Sequence, residues 1–173
     1  MQHGYSQLYP ASTTAAWGTD VPNELSARTV PLAFRFHVAT AGVLAVGGDL
    51  TRWSDGELAA GAGFVATYKR VRRLVQHGVQ HRLRAPAEDG PTVVQYTSAD
   101  RTQALVLAWQ RAPRRGRPEL PVHLAGLEPA AVYRDAATGD SHHATVLMEH
   151  GLPLGLPAGD WASAAIHLIR VSP

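Results

Sequence analysis

Apolar positions in the first third of the chain alternate between strand-like runs and helical stripes. Residues 12–23 predict a short strand that runs into a polar loop, with Pro22 and Asn23 at its end. Residues 29–41 predict a helix with Pro31 in its first turn. The apolar stripe of this helix comprises Leu32, Phe36, Ala39 and Val43.

A second strand and a second helix follow. Residues 43–47 form a fully apolar run of the kind found in buried parallel strands. Ser54 and Glu57 form the S-x-x-E pattern of a capping box, so a helix is expected to begin there. Gly61 and Gly63 indicate close packing against a neighbour, because each weakens a free-standing helix by roughly 1 kcal/mol relative to alanine. The order strand, helix, strand, helix is typical of an α/β fold with a parallel sheet, and two such units leave open strand edges.

From about residue 76 onward the pattern changes to short strand-like runs separated by turn signals. Two sets of positions alternate at 93–98 and again at 164–169, as in a strand with two faces, and residues 105–109 form an apolar run. The sets are Val94, Tyr96 and Ser98 against Val93, Gln95 and Thr97, and Ala164, Ile166 and Leu168 against Ala165, His167 and Ile169. Shorter runs occupy 120–124 and 131–133. The turn signals between the runs include Asp89-Gly90, Gly126, Pro129, Thr138-Gly139-Asp140 and Gly159-Asp160. Many short strands with regular turns predict an antiparallel β-sandwich.

Composition narrows the function classes. The chain has 173 residues, of which 45% are hydrophobic and 17% charged, so a packed globule is expected. The formal net charge of +2 is too small to indicate a nucleic-acid partner. The absence of cysteine excludes disulfides and thiolate zinc sites, and it fits a reducing compartment such as the cytoplasm. We expect no membrane partner, because there is no apolar run of membrane-spanning length and no signal-peptide pattern at the N-terminus.

Several segments, in collinear order, resemble glycoside hydrolase family 36. Residues 34–58, FRFHVATAGVLAVGGDLTRWSDGEL, resemble the end of the family's (β/α)8 barrel, and residues 2–23 resemble the segment around barrel strand 7. Residues 68–78, YKRVRRLVQHG, are similar to the helix that leads out of the barrel. Segments similar to the family's C-terminal β-sandwich are 94–111, 124–135, 147–154 and the closing strand 161–171.

The resemblance implies a fold and an activity. Residues 1–75 would be the last βα units of a (β/α)8 barrel, and residues 76–173 would be a C-terminal antiparallel β-sandwich domain. The family's α-galactosidases release terminal α-linked galactose with retention, which requires two carboxyl groups about 5 to 5.5 Å apart. In the family these are aspartates after barrel strands 4 and 6, and neither can be matched to a residue of this sequence. The chain alone is therefore expected to be inactive, and its implied partners are an α-galactoside and either the N-terminal half of the enzyme or a second copy of itself.

Three residues are candidates for a substrate site. On the barrel interpretation, Asp20 and Asp49 lie just beyond strand ends, on the face where such barrels place active sites. Trp17, Asp20 and Asp49 would then line the galactose pocket or brace its wall. The alternative is that Asp20 is a loop residue and Asp49 satisfies backbone N–H groups of the following turn. A catalytic pair is disfavoured, because the resemblance assigns catalysis to other residues.

Other motifs favour ordinary structural roles. No metal site is expected from His77 and His81, at the end of a helix, or from the adjacent His142 and His143, which point to opposite faces of a strand. His37 is expected to be a hydrogen-bonded packing residue. We expect no cofactor, and Gly47-Gly48 does not belong to a phosphate-loop motif. No G-x-S-x-G motif supports a serine hydrolase. A solvated loop is expected for the basic run of Arg111, Arg114, Arg115 and Arg117. Two functional alternatives stay open, a non-catalytic carbohydrate-binding module and a structural or interaction module.

Overall fold

The N-terminal part is built around a pair of parallel strands. The computed structural model describes residues 2–86, 90–113 and 120–171. A short helix α1 (Gln2–Tyr5) precedes strand β1 (Ala15–Thr19), and helix α2 (Leu32–Thr40) connects β1 to strand β2 (Val43–Gly47). The two strands run parallel over five residue pairs, from Ala15–Val43 to Thr19–Gly47. The predicted strand–helix–strand order is confirmed.

Helix α3 (Asp55–His77) completes the N-terminal part. Its predicted capping box is present: Ser54 Oγ accepts a hydrogen bond from the Glu57 N–H at 3.3 Å, and Glu57 Oε2 accepts one from the Ser54 N–H at 3.0 Å. These two bonds satisfy free backbone donors at the helix start. The helix ends at His77, just past residue 76, where the sequence pattern changes from α/β to β.

The glycines of α3 differ in their surroundings. A Cβ at Gly61 would lie 3.1 Å from Cζ3 of Trp53, whereas a Cβ at Gly63 would meet none of the described atoms within 4 Å. The prediction of close packing is therefore confirmed for Gly61 and wrong for Gly63. The absence of a side chain at Gly61 lets the Trp53 indole lie against the helix.

The described residues from 79 onward form a six-stranded antiparallel sheet. Its strand order is β3-β4-β5-β8-β6-β7, so the last strand along the chain lies in the interior of the sheet. A short helix α4 (Ala144–Glu149) follows β7 directly. The strands are β3 (Val79–Arg84), β4 (Thr92–Thr97), β5 (Gln103–Gln110), β6 (Val132–Asp135), β7 (Ser141–His143) and β8 (Ala162–Arg170).

Both faces of this sheet are covered. On one face, α3 packs against β4 and β5 in a buried cluster that includes Val71, Leu74, Val75, Val94, Tyr96, Leu105 and Leu107. On the other face, α4 and the loops around it form a second cluster that includes Val93, Val106, Ala108, Leu124, Leu127, Leu147, Leu152 and Leu154. The N-terminal part and the sheet therefore share a core.

Some local predictions differ from the structure. Strand β3 and helix α4 were not predicted, and within the described residues the predicted strand at 120–124 contributes only an isolated bridge between Val122 and Leu152. Pro31 occupies the N-cap position of α2 rather than its first turn. The predicted turn at Asp89-Gly90 lies partly outside the described residues, as do Arg114, Arg115 and Arg117.

Strand β2 is less buried than predicted. Val43 is 37% exposed, and Leu44 through Val46 are only half-buried. The prediction of a buried strand is wrong for these residues because β2 pairs with β1 alone in the described part of the chain. One edge of β2 and one face of the pair remain open.

Candidate functional site at the strand ends

The ends of β1 and β2 lie side by side and bring two aspartates into one loop cluster. Asp20 follows β1, and Asp49 follows β2 after Gly47 and Gly48. The Asp20 carboxylate accepts two hydrogen bonds at 2.8 Å, one at Oδ2 from the Asp49 N–H and one at Oδ1 from the Trp53 indole N–H. Asp20 therefore ties the end of β1 both to the loop after β2 and to the residue before α3.

Gly48 makes this contact possible. A Cβ at position 48 would lie 2.2 Å from Oδ1 of Asp20, which is far inside the contact distance of the two atoms. Any larger residue would displace the Asp20 carboxylate. The second glycine of the Gly47-Gly48 pair thus serves the close approach of a side chain to the backbone.

Hydrogen bonding keeps Asp20 ionised. The bond from the Trp53 indole, followed by that from the Asp49 N–H, lowers the pKa of the Asp20 carboxyl below its ordinary value of 3.8. A general acid needs a raised pKa, so this carboxylate is unsuited to that role at neutral pH. The geometry indicates a bracing role for Asp20.

Asp49 stabilises the turn that follows it. Its Oδ1 accepts hydrogen bonds from the Thr51 hydroxyl at 2.6 Å and from the Thr51 N–H at 3.0 Å, which caps the 3-10 turn Leu50–Arg52. These two bonds, with the hydroxyl first, lower the pKa of the Asp49 carboxyl. The arrangement corresponds to the alternative in which Asp49 satisfies the backbone of its own turn.

Trp17 projects from the open face of the strand pair. The opposite face carries Ala16, which is buried, and Gly18, whose Cβ position lies 3.8 Å from the Phe36 ring of α2. The Trp17 ring lies over Gly47, where a Cβ would come within 2.6 Å of Cε3, and the residue is 58% exposed. Of the three predicted site residues, Trp17 has the side chain best placed to contact another molecule.

The side chains of Arg35 and Trp53 complete the cluster, and neither was selected from the sequence as a site residue. Arg35 is 8% exposed, donates from Nη1 to the Thr19 carbonyl at 2.6 Å, and places its guanidinium 5.6 Å from the centre of the Trp53 ring. Burial lowers the pKa of Arg35, and the neighbouring carboxylates of Glu57 and Asp20 oppose that shift. The available signal was a single arginine beside Phe36 of the apolar stripe of the predicted helix.

The histidines are not brought together. In the described ranges, no three potential metal-ligating side chains converge. His37 Nδ1 lies 2.9 Å from Oγ of Ser163, and its ring packs edge-on against Phe64. Burial lowers the pKa of His37 to about 4, so the imidazole is neutral at physiological pH. The prediction of a hydrogen-bonded packing histidine is confirmed.

Across 2–86, 90–113 and 120–171, no helix combines the length and the apolar character needed to cross a bilayer.

Comparison with known proteins gives collinear matches over nearly the whole chain. Residues 1–78 match the family model described as Melibiase, and residues 91–168 match the glycosyl hydrolase family 36 C-terminal domain. The chain is 33% identical over 163 residues to alpha-galactosidase AgaA of Geobacillus stearothermophilus, covering 94% of this chain and 22% of that protein. It is 32% identical over 171 residues to the probable alpha-galactosidase G of Emericella nidulans, covering 98% and 23% respectively.

Solved structures agree with these matches. The crystal structure of a variant of the Geobacillus stearothermophilus enzyme AgaA in complex with raffinose superimposes with a TM-score of 0.92 at 32% identity, over 98% of this chain and 24% of that chain. The chain thus spans less than a quarter of the length of these relatives.

Proposed function

Because the chain belongs to glycoside hydrolase family 36, we propose that it serves as the C-terminal portion of an α-galactosidase. The complete enzyme would be a retaining glycoside hydrolase that releases terminal α-linked galactose from galactosides of the raffinose class. The observation that carries the proposal is the collinear match of the N-terminal part and of the sheet to the two successive family regions. The matching relatives are α-galactosidases.

We propose that the chain divides as the sequence predicts. Residues 1–75 would form the last βα units of a (β/α)8 barrel, and residues 76–173 would form the C-terminal β-sandwich domain. The parallel pairing of β1 and β2 across α2 supports the first assignment. The antiparallel pairing of all strands from β3 to β8 supports an all-β second domain.

The strand-end cluster would form part of the wall of the galactose pocket. Both β1 and β2 present their carboxyl ends there, which is the face where barrel enzymes bind substrate. Trp17 would contact the sugar with its exposed indole, while Asp20 would hold the loop of Asp49 in place through its two hydrogen bonds. The nucleophile and the acid/base would come from the part of the enzyme that these residues do not include.

The proposed partner of this chain is that remaining part of the enzyme. The open face of β1 and β2 carries Trp17 and Val43, and α3 exposes Leu58. In a closed barrel, neighbouring strands and helices would cover the surfaces around Val43 and Leu58, while Trp17 would face the substrate pocket. When that partner is absent, a second copy of the chain would cover the same apolar surface.

Two measurements test this function. The isolated chain should not hydrolyse 4-nitrophenyl α-galactoside above background, because the catalytic carboxylates lie elsewhere. A chimera in which residues 1–171 replace the matching segment of the Geobacillus stearothermophilus AgaA enzyme should hydrolyse it, and Trp17→Ala should raise the KM of the chimera about tenfold or more. A matched control, Val146→Ala on α4 far along the chain, should leave the KM unchanged.

The opposite results would contradict the proposal. Turnover by the isolated chain that disappears in Asp20→Asn or Asp49→Asn would place catalysis within these residues. Cooperative unfolding would show that the chimera is folded. If a folded chimera has no turnover, the result would argue for a non-catalytic role of the chain.

A further inference from the structure

A strained tryptophan marks a second surface, at the junction of the sheet and the N-terminal part. Trp161 precedes β8 and has a φ of +57°, a left-handed conformation that a bulky residue rarely adopts. Its N–H donates a hydrogen bond to the Arg111 carbonyl at 2.9 Å, which fixes the strained residue to the end of β5. Strain of this kind persists where the surrounding structure holds a side chain in a required place.

Three separate chain segments hold the Trp161 indole. Phe34 of α2 packs edge-on against it, with the ring centres 5.4 Å apart. The guanidinium of Arg111 lies 5.7 Å from the indole centre, and that of Arg28, from the loop after β1, lies 6.0 Å from it. Cation–π contact at these distances orients both guanidinium groups beside the ring.

A depression of about 610 Å³ adjoins this cluster. Its lining comprises Pro86, Gly90, Thr92, Trp109, Arg111, Ala112, Asp160 and Trp161. Within the described part of the chain, neither Arg28, Arg111 nor Asp160 takes part in an ion pair. Two tryptophans, an arginine and an aspartate therefore border the same open space, and neither charge is paired with another described residue.

The mixed charge selects a class of ligand. The Asp160 carboxylate would repel a small anion, and the Arg111 guanidinium would repel a small cation. A neutral polyhydroxylated molecule satisfies both groups, since a hydroxyl accepts from a guanidinium, which only donates, and donates to a carboxylate, which only accepts. Its apolar C–H faces suit the tryptophan side chains. We propose that this depression is a second carbohydrate-binding site, which takes a neutral galactoside oligosaccharide.

The identity of the sugar rests on the proposed function, whereas the position of the site does not. The site lies where β3 and β5 end and where β4 and β8 begin, and it shares no residue with the strand-end cluster of Trp17, Asp20 and Asp49. An oligosaccharide held there would increase the time that its chain spends near the enzyme, as expected for a second attachment point.

Binding of raffinose to the 173-residue chain, measured by titration calorimetry, tests the site. Saturable binding is expected, with at least a tenfold weaker affinity in Trp161→Gly. Glycine accepts the positive φ without strain, so this variant should remain folded. The double variant Arg111→Ala, Asp160→Ala removes two exposed side chains and should also weaken binding tenfold or more. Val146→Ala, at an exposed position on α4, serves as the control and should leave this affinity unchanged. Trp17→Ala is measured beside it to detect any binding at the strand-end cluster.

Several results would overturn the inference. These are the absence of saturable raffinose binding, an unchanged affinity in Trp161→Gly and in the double variant, or displacement of raffinose by inorganic phosphate, which would indicate an anion site. Loss of binding in Trp17→Ala alone would assign the sugar to the strand-end cluster, so the second site would fail while the proposed function stood. If raffinose binding depends on Trp161 but the chimera is folded and inactive, the second site stands and the proposed function fails.

Discussion

At the scale of single residues, His37 couples the N-terminal part to the sheet through a neutral imidazole. The ring lies between Phe64 of α3 and Ser163 of β8, and it is half-buried. Charging this ring would require a solvated environment that the packed site does not offer. The protonation of His37 is therefore linked to the opening of the contact between α2 and β8.

The pH dependence of stability should reveal this linkage. Burial lowers the pKa of His37 from 6.5 to about 4, so the unfolded chain binds a proton at a higher pH than the folded chain. Neutral His37 therefore makes its full contribution to the free energy of unfolding above pH 6.5. This contribution is lost as the pH falls toward 4, and the total loss is about 3 kcal/mol. Urea unfolding at neutral and at mildly acidic pH measures it.

The matched variants isolate the histidine. In His37→Gln the loss of stability on acidification should shrink by about 2–3 kcal/mol, whereas His150→Gln, at an exposed position, should preserve the loss of the unmodified chain. Equal losses in His37→Gln and in the unmodified chain would show that this imidazole charges freely within the folded state.

At the scale of elements, the start of α3 depends on a few local hydrogen bonds. Ser54 caps the helix, Glu57 returns a bond to the Ser54 N–H, and Trp53 reaches from the preceding position to Asp20. The cap and the strand-end cluster are thus contiguous along the chain. Fraying of the first turn would loosen the cluster as well.

Removal of the cap should destabilise the chain by about 1 kcal/mol. Ser54→Ala loses the acceptor for the Glu57 N–H, while Ser54→Asp keeps an oxygen at the N-cap and should be close to neutral. Thermal or urea unfolding measures both variants. The assignment of the cap would be contradicted if alanine and aspartate at position 54 gave the same stability.

Elements with a local signature could be predicted from the sequence. Each such signature is contained in a short stretch of sequence. Examples are the capping box, the alternating positions at 93–98 and 164–169, and the apolar run at 43–47. Strand β3, VQHRLR, escaped because a polar, charged edge strand carries little hydrophobic alternation. Helix α4 has only six residues, too few for a helical period to show.

In the candidate site, too, local contacts could be predicted from the sequence and contacts between distant residues could not. The bonds of Asp49 to Thr51 span two residues, and the sequence allowed for them as an alternative. The bond from Trp53 to Asp20 spans 33 residues, and the buried position of Arg35 depends on the packing of α2 and α3. Contacts between distant segments depend on the tertiary arrangement, which neither periodicity nor motif spacing specifies.

At the scale of the whole molecule, apolar surface on the N-terminal part should drive association. Trp17 is 58% exposed, Leu58 39% and Val43 37%, whereas the sheet is covered on both faces. Burial of apolar surface contributes roughly 25 cal/mol per Å², so a few hundred Å² supply several kcal/mol. This surface is sufficient to favour a dimer or a complex with the remaining part of the enzyme.

Light scattering over a dilution series tests the association. We expect an apparent mass above that of one chain at tens of micromolar, with dissociation on dilution. The variant Trp17→Ser, Val43→Ser should shift the midpoint to at least tenfold higher concentration, whereas Val146→Ser, at an exposed position on α4, should not. A strictly monomeric, folded chain at these concentrations would indicate a self-sufficient module.

The interior position of β8 has a consequence for biosynthesis. A nascent chain can pair β3, β4 and β5 as they emerge, and it can form the β6–β7 hairpin, but the two pieces have no strand between them until Ala162–Arg170 is made. Until then the interior edges of β5 and β6 are unpaired, a state prone to aggregation. A premature stop codon just before Ala162 would therefore leave the translated product with a divided sheet, and cellular quality control should degrade it almost as efficiently as a much shorter fragment.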